Sequence, residues 1–363
     1  MTGPTVLAQG KIERIGQPGA ACPDYEAALA CCMEAIAGPG KALASARELA
    51  GIGFKAVHAG PVSGTQLIDD EVLAAMEEFS FVTPAHNPPY IAAMRAFRHA
   101  VPEVPLVALF ETAFFDKLDE ATVTYAVPYE WKQAHGVRRY GFHGASHRAA
   151  SERARQWCGG GDLRHISCHL GGSSSLAAIR GGVAIDTTFG MSPQSGLPQN
   201  NRVGDLDVFA VLHVMEKRGL SAAQMARTLA SQAGLAGIAG GSGDVRDLSE
   251  AAARGDARAR LALDVFVRAV RHYLGAFLVE LGGLDVLTFS GGIGENSAEV
   301  RAAVCAGLAS FGIELDAGRN ESLRGEGRIS RDGALVTVLV LPADEETVVA
   351  RAVAEFLGLR GER

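Results

Sequence analysis

"CHLGGSSSLAAIRGG", residues 168–182, is the stretch whose reading decides the fold. An apolar run (166–170) enters a Gly/Ser cluster, a second apolar run (175–179) leaves it, and a Gly pair closes the segment. Gly171 and Gly172 permit backbone geometry that other residues resist, and Ser173, Ser174 and Ser175 supply small hydroxyl donors. Such a loop suits a phosphate. The usual phosphate loops lead into a helix, whereas these flanks read as two strands of a hairpin. Working outward, "VAIDTTF" (183–189) continues as a strand, and the segment from Asp205 to about Gly282 is mainly helical. It ends in "ARLALDVFVRAVRHYLGAFLVEL" (259–281), which is apolar on most faces and so suits the core or a subunit contact. Upstream, "ALASARELAGI" (42–52) reads as a helix, "GFKAVHAG" (53–60) as a strand and "IDDEVLAAMEEFSFV" (68–82) as an amphipathic helix. "VPLVALFETAF" (104–114) reads as a buried strand running into a loop, and Ser146 is placed to cap a helix over 147–157.

Composition sets the bounds. The 363 residues are enough for two domains, 48% are hydrophobic and 44 are Gly, so a large core with many tight turns is expected. A net charge of −7 excludes duplex nucleic acid as a main partner, because no basic stripe offsets its phosphates. No apolar run reaches membrane-spanning length, and residues 1–16 lack a signal-peptide block; the expectation is a cytoplasmic protein with no membrane partner. Six cysteines (Cys22, Cys31, Cys32, Cys158, Cys168, Cys305) show neither CxxC pairing nor zinc spacing and read as scattered buried thiols.

The other motifs carry less alone. "LDVLTFSGGIGENSAEVRAAVCAGLASF" (284–311) reads as strand, Gly-rich turn and a helix beginning near Asn296, with Asn296 and Glu299 as a capping box. Val300, Ala303, Val304, Gly307, Leu308 and Phe311 fall on one helical face. The turn is a poor dinucleotide fingerprint, since Ser297 stands at the third Gly position, and no Walker loop occurs anywhere. It still suits the phosphate or nucleoside end of a nucleotide. His143 and His147 are spaced by four without an intervening Glu, which rules out a zinc-protease motif and favours hydrogen-bonded structural histidines. Arg202 beside Asp205 and Asp207 reads as either a surface ion-pair cluster or an Arg poised for phosphoryl oxygens. Glu345 and Glu346 come after the strand 334–341, as a helix N-terminal charge or as a strand-end carboxylate for magnesium.

The order of these motifs is more specific than any one of them. His86-Asn87-Pro88, "RRYGFHGASH" (138–147), "HLGGSSS" (169–175), "DTTFGMSP" (186–193), Arg202-x-Gly204-Asp205-x-Asp207, "SGDVRDL" (242–248), "GGIGENS" (291–297) and Glu345 occur in succession. The succession resembles the acetate kinase family, short-chain carboxylate kinases of the sugar kinase/actin/Hsp70 superfamily. The resemblance implies an α/β, two-domain, ribonuclease H-like fold with mixed sheets flanked by helices. It implies an N-terminal acyl-substrate domain at 1–112, its first strands incomplete, completed by 347–363, and a C-terminal nucleotide-binding domain at 113–346. The implied activity is reversible transfer of the ATP γ-phosphoryl to acetate or another short-chain carboxylate, with Mg2+, in a homodimer.

By the same resemblance, His143, Arg202 and Glu111 match catalytic positions and Glu345 the metal-linked carboxylate. Lys55, Val57, Ala85, His86, Phe142 and Pro193 match the substrate site. His169, Leu170, Gly171, Gly172 and Ser173 match one nucleotide loop, Gly292, Ile293, Gly294, Glu295 and Asn296 the second, and Asp244, Val245 and Arg246 the adenosine side. Several departures stand out. The segment 4–16 resembles the residues that come after the family's opening N-x-G-S-S-S-x-K loop, so the first phosphate hairpin is expected to be missing. Lys55 replaces an Arg that grips the carboxylate with two prongs, and Glu111 replaces an Asp. Asn200-Asn201 replace Gly-Thr before Arg202. Ala85 replaces a Leu, which would open room for a longer acyl tail. Two readings are open: a working acyl kinase, or a divergent paralogue that binds nucleotide and catalyses poorly in a structural or regulatory role.

Overall fold

The computed structural model describes residues 5–12, 15 and 21–359. Pro4, Glu13, Arg14 and Gly16 of the N-terminal segment lie outside them, as do the outermost residues of the expected first domain (1–4 and 360–363). The chain divides into two compact units, one made of 1–113 with 345–363 and the other of 114–344.

In the first unit, α1 (Tyr25–Ile36) precedes β1 (Ile52–Ala56), β2 (Thr65–Leu67), α2 (Asp70–Glu78), α3 (Asn87–Ala100) and β3 (Leu106–Phe110). The sheet order is β1-β3-β2, with β1 parallel and β2 antiparallel to the central β3. Every residue of β3 is buried, the pattern of a strand covered on both faces. Leu106, Ala108 and Phe110 on one face meet Val72, Leu73 and Met76 of α2 and Ile91 and Met94 of α3. The C-terminal helix Glu345–Phe356 covers β1; a Cβ on Gly53 would lie 2.9 Å from Val349 Cγ1, so glycine lets the helix close on the strand. The Asp69 carboxylate caps α2 by accepting from Val72 N at 2.8 Å, which sets where the expected amphipathic helix begins. The expected helix over 42–52 does not form. Only a 3₁₀ turn at Ala46–Glu48 is present, because Leu43 is tied back to Ile36 and Gly38 and the chain enters β1 at Ile52.

The second unit runs α4 (Glu120–Val123), α5 (Tyr129–His135), α6 (Gly144–Trp157), β4 (Arg164–Leu170), β5 (Ser174–Arg180) and β6 (Val183–Thr187). Five helices come next: α7 (Val208–Arg218), α8 (Ala222–Ser231), α9 (Gly234–Ala239), α10 (Val245–Ala253) and α11 (Ala257–Leu281). Then come β7 (Val286–Ser290), α12 (Gly291–Asn296), α13 (Ala298–Cys305), α14 (Ala317–Ser322), β8 (Gly327–Arg328) and β9 (Thr337–Val340). The six-stranded sheet is ordered β6-β5-β4-β7-β9-β8, with β4, β7 and β9 parallel at its centre. Side-chain alternation serves two layers. Ile166, Cys168, Leu170, Leu287 and Phe289 pack under Phe266, Val270 and Leu274 of α11, whereas Val286 and Leu339 meet Ala150 and Ala154 of α6.

Several local expectations need correction. Ser146 does not cap α6; the helix starts at Gly144 with His143 at the cap, and the Ser146 hydroxyl bonds His169 instead. The Gly-rich "turn" after β7 is itself the short helix α12, and Ser297, not Asn296, caps α13 by accepting from Val300 N. That helix ends at Cys305, so Gly307, Leu308 and Phe311 lie beyond it, and Phe311 is exposed. α11 buries one face only, leaving Leu261 and Val279 exposed. Cys31 and Cys32 are exposed rather than buried, and all six thiols are free.

Candidate active site

The decisive stretch folds as read: β4 and β5 pair antiparallel with Leu170 opposite Ser174, and residues 171–173 turn between them. The Ser174 hydroxyl closes that turn, donating to Gly171 O at 3.0 Å. Next to it, β7 delivers α12. Gly291 sits at φ +75, where an added Cβ would lie 2.7 Å from Leu170 O, so only glycine allows the two loops to abut. Together they border a cavity of about 660 Å³ lined by Gly171, Gly172, Asn200, Asp244, Val245, Arg246, Ser249, Gly292, Ile293 and the run 296–299. A Cβ on Gly292 would meet nothing within 4 Å, so its backbone is open to whatever enters. Arg246 donates to Asp244 at 2.6 and 3.0 Å, and this pair holds the Asp244 carboxyl below the usual carboxylate range.

Five residues expected at the nucleotide loops do not line this cavity. Leu170 is a core side chain, a Cβ on Gly294 would lie 3.4 Å from Phe289 C, and Glu295 braces the backbone by accepting from Gly291 N and Ala343 N. The other two, His169 and Ser173, bond neighbouring side chains, Ser146 and Gln199. Conversely Asn200, Ser249, Ser297, Ala298 and Glu299 line it without having been singled out for nucleotide contact. Asn200 had one signal, its replacement of Gly in the resembling pattern; Ser249 had none, since α10 presents it one turn beyond Val245.

Arg202, half-buried, donates to Ser173 Oγ and Gln199 Oε1, each at 3.1 Å. Of the acids beside it in sequence, Asp205 accepts from Gly196 N and Tyr273 Oη and Asp207 caps α7. Burial lowers the Arg202 pKa but leaves a guanidinium. His143 takes the left-handed conformation at φ 61, the one non-glycine residue to do so among the described residues. That conformation costs about 1–3 kcal/mol and is characteristic of functional positions. Its Nδ1 lies 2.8 Å from Ser175 Oγ, and its ring centroid lies 4.3 Å from that of His169. Phe142 is buried edge-on against Phe189, and the Pro193 carbonyl accepts from Gln199 Nε2 at 2.7 Å.

In the first unit, Lys55 comes from β1, Glu111 from the residue after β3, and Glu345 from the first turn of the C-terminal helix. Lys55 Nζ lies 2.5 Å from Glu345 Oε2 and 3.5 Å from Glu111 Oε1. Burial pushes the Lys55 pKa down, but the two carboxylates outweigh it and hold the ammonium above its ordinary range. Lys55, expected to meet a substrate carboxylate, is thus already held by two protein carboxylates. Lys55 and Glu345, with Gly51, Gly53, Val349 and Val353, border a cavity of about 490 Å³. Val57 is buried, His86 is half-buried at the residue before α3, and Ala85 is exposed and lines none of these cavities. The neighbouring Asn87 is structural, donating to His58 O and Met76 O at 2.7 Å each.

Among the described residues no group of three or more His, Cys, Asp or Glu side chains could hold a metal ion. Glu111 and Glu345 nevertheless offer two hard oxygen donors converging on one cation, Lys55. That donor set fits an ion that takes one or two carboxylates and draws its remaining ligands from phosphates and water. Among the described residues no helix is long and apolar enough to cross a membrane.

Known proteins match along nearly the whole chain. A profile described as "Acetokinase family" matches residues 8–351. The acetate kinase of Shouchella clausii (strain KSM-K16) is 39% identical over 365 residues, covering 96% of this chain and 92% of that protein. Among solved structures, Porphyromonas gingivalis acetate kinase superposes with a TM-score of 0.87 at 36% identity, covering 97% of this chain and 94% of that one. A propionate kinase from Francisella tularensis subsp. tularensis SCHU S4 gives 0.79 at 33% identity, covering 84% and 79%. As an ATP-dependent kinase the protein calls for a metal ion in general. Gly/Ser hairpin, second glycine loop, anchored Arg and His, and these matches agree: the chain belongs to the acetokinase family and is a carboxylate phosphotransferase.

Proposed function

We propose that the chain transfers the γ-phosphoryl of ATP reversibly to acetate or another short-chain carboxylate, giving acyl phosphate and ADP. One observation carries the assignment of roles. Arg202 and His143 are both tethered to the hairpin that bears the phosphate loop, Arg202 through Ser173 and His143 through Ser175. In phosphoryl transfer the protein positions two oxygens in line and stabilises charge on the transferring group, so such tethered donors are what the step needs. The nucleotide occupies the cavity between the two glycine loops, its phosphates toward residues 171–173 and its nucleoside toward residues 244–246. Arg202 and the His143 ring donate to the equatorial oxygens as the carboxylate oxygen attacks and the bond to ADP breaks. In the first unit Lys55 attracts the incoming carboxylate and Val57 and His86 contribute to acyl recognition; in the second unit Phe142 and Pro193 do so. Glu345, with Glu111 beside it, would hold the Mg2+, which when bound offsets charge on the phosphate oxygens.

A homodimer is supported by α7, which has no buried residue and exposes Val208, Phe209 and Leu212. We place the protein in the cytoplasm. The test is hydroxamate trapping of acyl phosphate from MgATP with acetate, propionate and butyrate. His143→Ala and Arg202→Ala should each lower kcat by about 10²–10³-fold. Nucleotide binding without acyl hydroxamate from any of the three acids would overturn this reading in favour of the impaired paralogue.

A further inference from the structure

A row of hydrogen bonds runs from the centre of the sheet to His143. Ser167 Oγ on β4 lies 2.9 Å from His147 Nδ1, and His147 Nε2 lies 2.8 Å from Ser175 Oγ. Ser175 Oγ in turn lies 2.8 Å from His143 Nδ1. Ser167, His147 and Ser175 are all completely buried, so no solvent completes their bonding. His147 stays neutral, because burial, then the neighbouring His169 and His165, drive its pKa well below the ordinary histidine value.

Counting protons sets the direction of the row. A neutral imidazole carries one N–H and one bare nitrogen, and each hydroxyl has a single proton to give. His147 Nδ1 is the side-chain partner that the structure gives the Ser167 hydroxyl. A buried hydroxyl proton with no acceptor is costly, so Ser167 donates to Nδ1. His147 then carries its proton on Nε2 and donates to Ser175. Ser175, already accepting, donates onward to His143 Nδ1. The opposite direction would leave the Ser167 proton without an acceptor.

We propose that Ser167, His147 and Ser175 form a one-way hydrogen-bonded chain that holds His143 as its Nε2–H tautomer, which makes His147 and Ser175 positioning residues for phosphoryl transfer. The proposal rests on the reading that His143 meets the transferring phosphoryl group. No proton is transferred along the row; it orients a donor. The left-handed backbone at His143 belongs to the same device, since it seats the ring on Ser175 and against His169.

The test uses the full chain labelled with ¹⁵N-histidine and long-range ¹H–¹⁵N correlation spectra, the His143 signals being assigned by their loss in His143→Asn. The unmodified protein should show His143 with a bare Nδ1 and a protonated Nε2. In Ser175→Ala, His143 should become a mixture of tautomers, with kcat lowered about tenfold and both KM values changed by less than about twofold. Ser167→Ala, which removes the donor at the far end, should loosen the same tautomer, while Ser175→Thr, which keeps the hydroxyl, should retain it. Nδ1–H on His143 in the unmodified protein overturns the chain, as does an unchanged tautomer in Ser175→Ala and Ser167→Ala. If Ser175→Ala does not fold, the spectrum of the unmodified protein and Ser167→Ala still decide. A His143→Ala variant with undiminished kcat would instead overturn the functional role of His143, and would leave the tautomer result standing.

Discussion

Replacing Lys55 with Met tests whether the first unit's charged cluster is bound as described. The substitution keeps the length of the stem and removes the ammonium that lies 2.5 Å from Glu345 and 3.5 Å from Glu111. Glu345 keeps 21% of its side chain in solvent and can rehydrate, whereas Glu111 keeps 4% and cannot. Removing one partner of a buried ion pair costs about 3–5 kcal/mol. Because 33% of the Lys55 side chain is exposed, solvent already screens the pair, and a loss of about 2 kcal/mol is expected at pH 8. Without that ammonium, the buried Glu111 carboxyl should bind a proton more tightly than it does in the parent protein. Its contribution then falls as pH rises, so Lys55→Met should cost less at pH 5 than at pH 8. In the parent protein the raised Lys55 pKa contributes fully below the ordinary lysine range and is lost only in strong alkali, so the parent should be flat between pH 5 and 8 on this account. Trp131 and Trp157 both lie in the second unit, so tryptophan fluorescence does not report on the cluster. Native-state hydrogen exchange at β1 and the C-terminal helix does. Adding Glu111→Gln should restore most of the lost protection and remove the pH dependence. Equal losses at both pH values, or no recovery in the double variant, would refute the reasoning.

Three further outcomes are expected. Asp186→Asn should stabilise the second unit by about 1–3 kcal/mol at pH 8 and by almost nothing near pH 3.5, because burial, with Glu280 nearby, raises the Asp186 pKa from 3.8 to about 6. Its carboxyl therefore destabilises the fold as pH rises through that interval, and urea unfolding at several pH values checks the sign. Arg301→Lys should cost about 2–4 kcal/mol and weaken nucleotide binding, since buried Arg301 donates to Gly294 O and Glu295 O at 2.9 Å each and to Asn320, and an ammonium cannot span them. Unchanged melting temperature and affinity would show that α12 is held otherwise. Gly292→Val should leave the melting temperature of the free protein almost unchanged and abolish the rise caused by millimolar MgADP, because its methyl groups enter the open cavity.

The Gly/Ser hairpin was legible in the sequence because its causes are local. Glycines and serines flanked by two apolar runs fold as β4, turn and β5, and the Ser174 hydroxyl closes the turn on Gly171 O. The family was legible because the motifs come in a set order along the chain, which requires no knowledge of contacts. What the tertiary structure decided depends on residues far apart. "GGIGEN" reads as a turn by its glycines, yet it is helical because Gly291 lies against Leu170 and because Arg301 ties down the carbonyls of Gly294 and Glu295. Ser146 has the chemistry of a cap, but His169 on the adjacent strand captures its hydroxyl. Lys55 looked available for a substrate, and a carboxylate 290 positions away occupies it. Periodicity and turn chemistry report on a few neighbouring residues, whereas hydrogen-bond and charge partners are chosen by which strands and helices the packed core brings together.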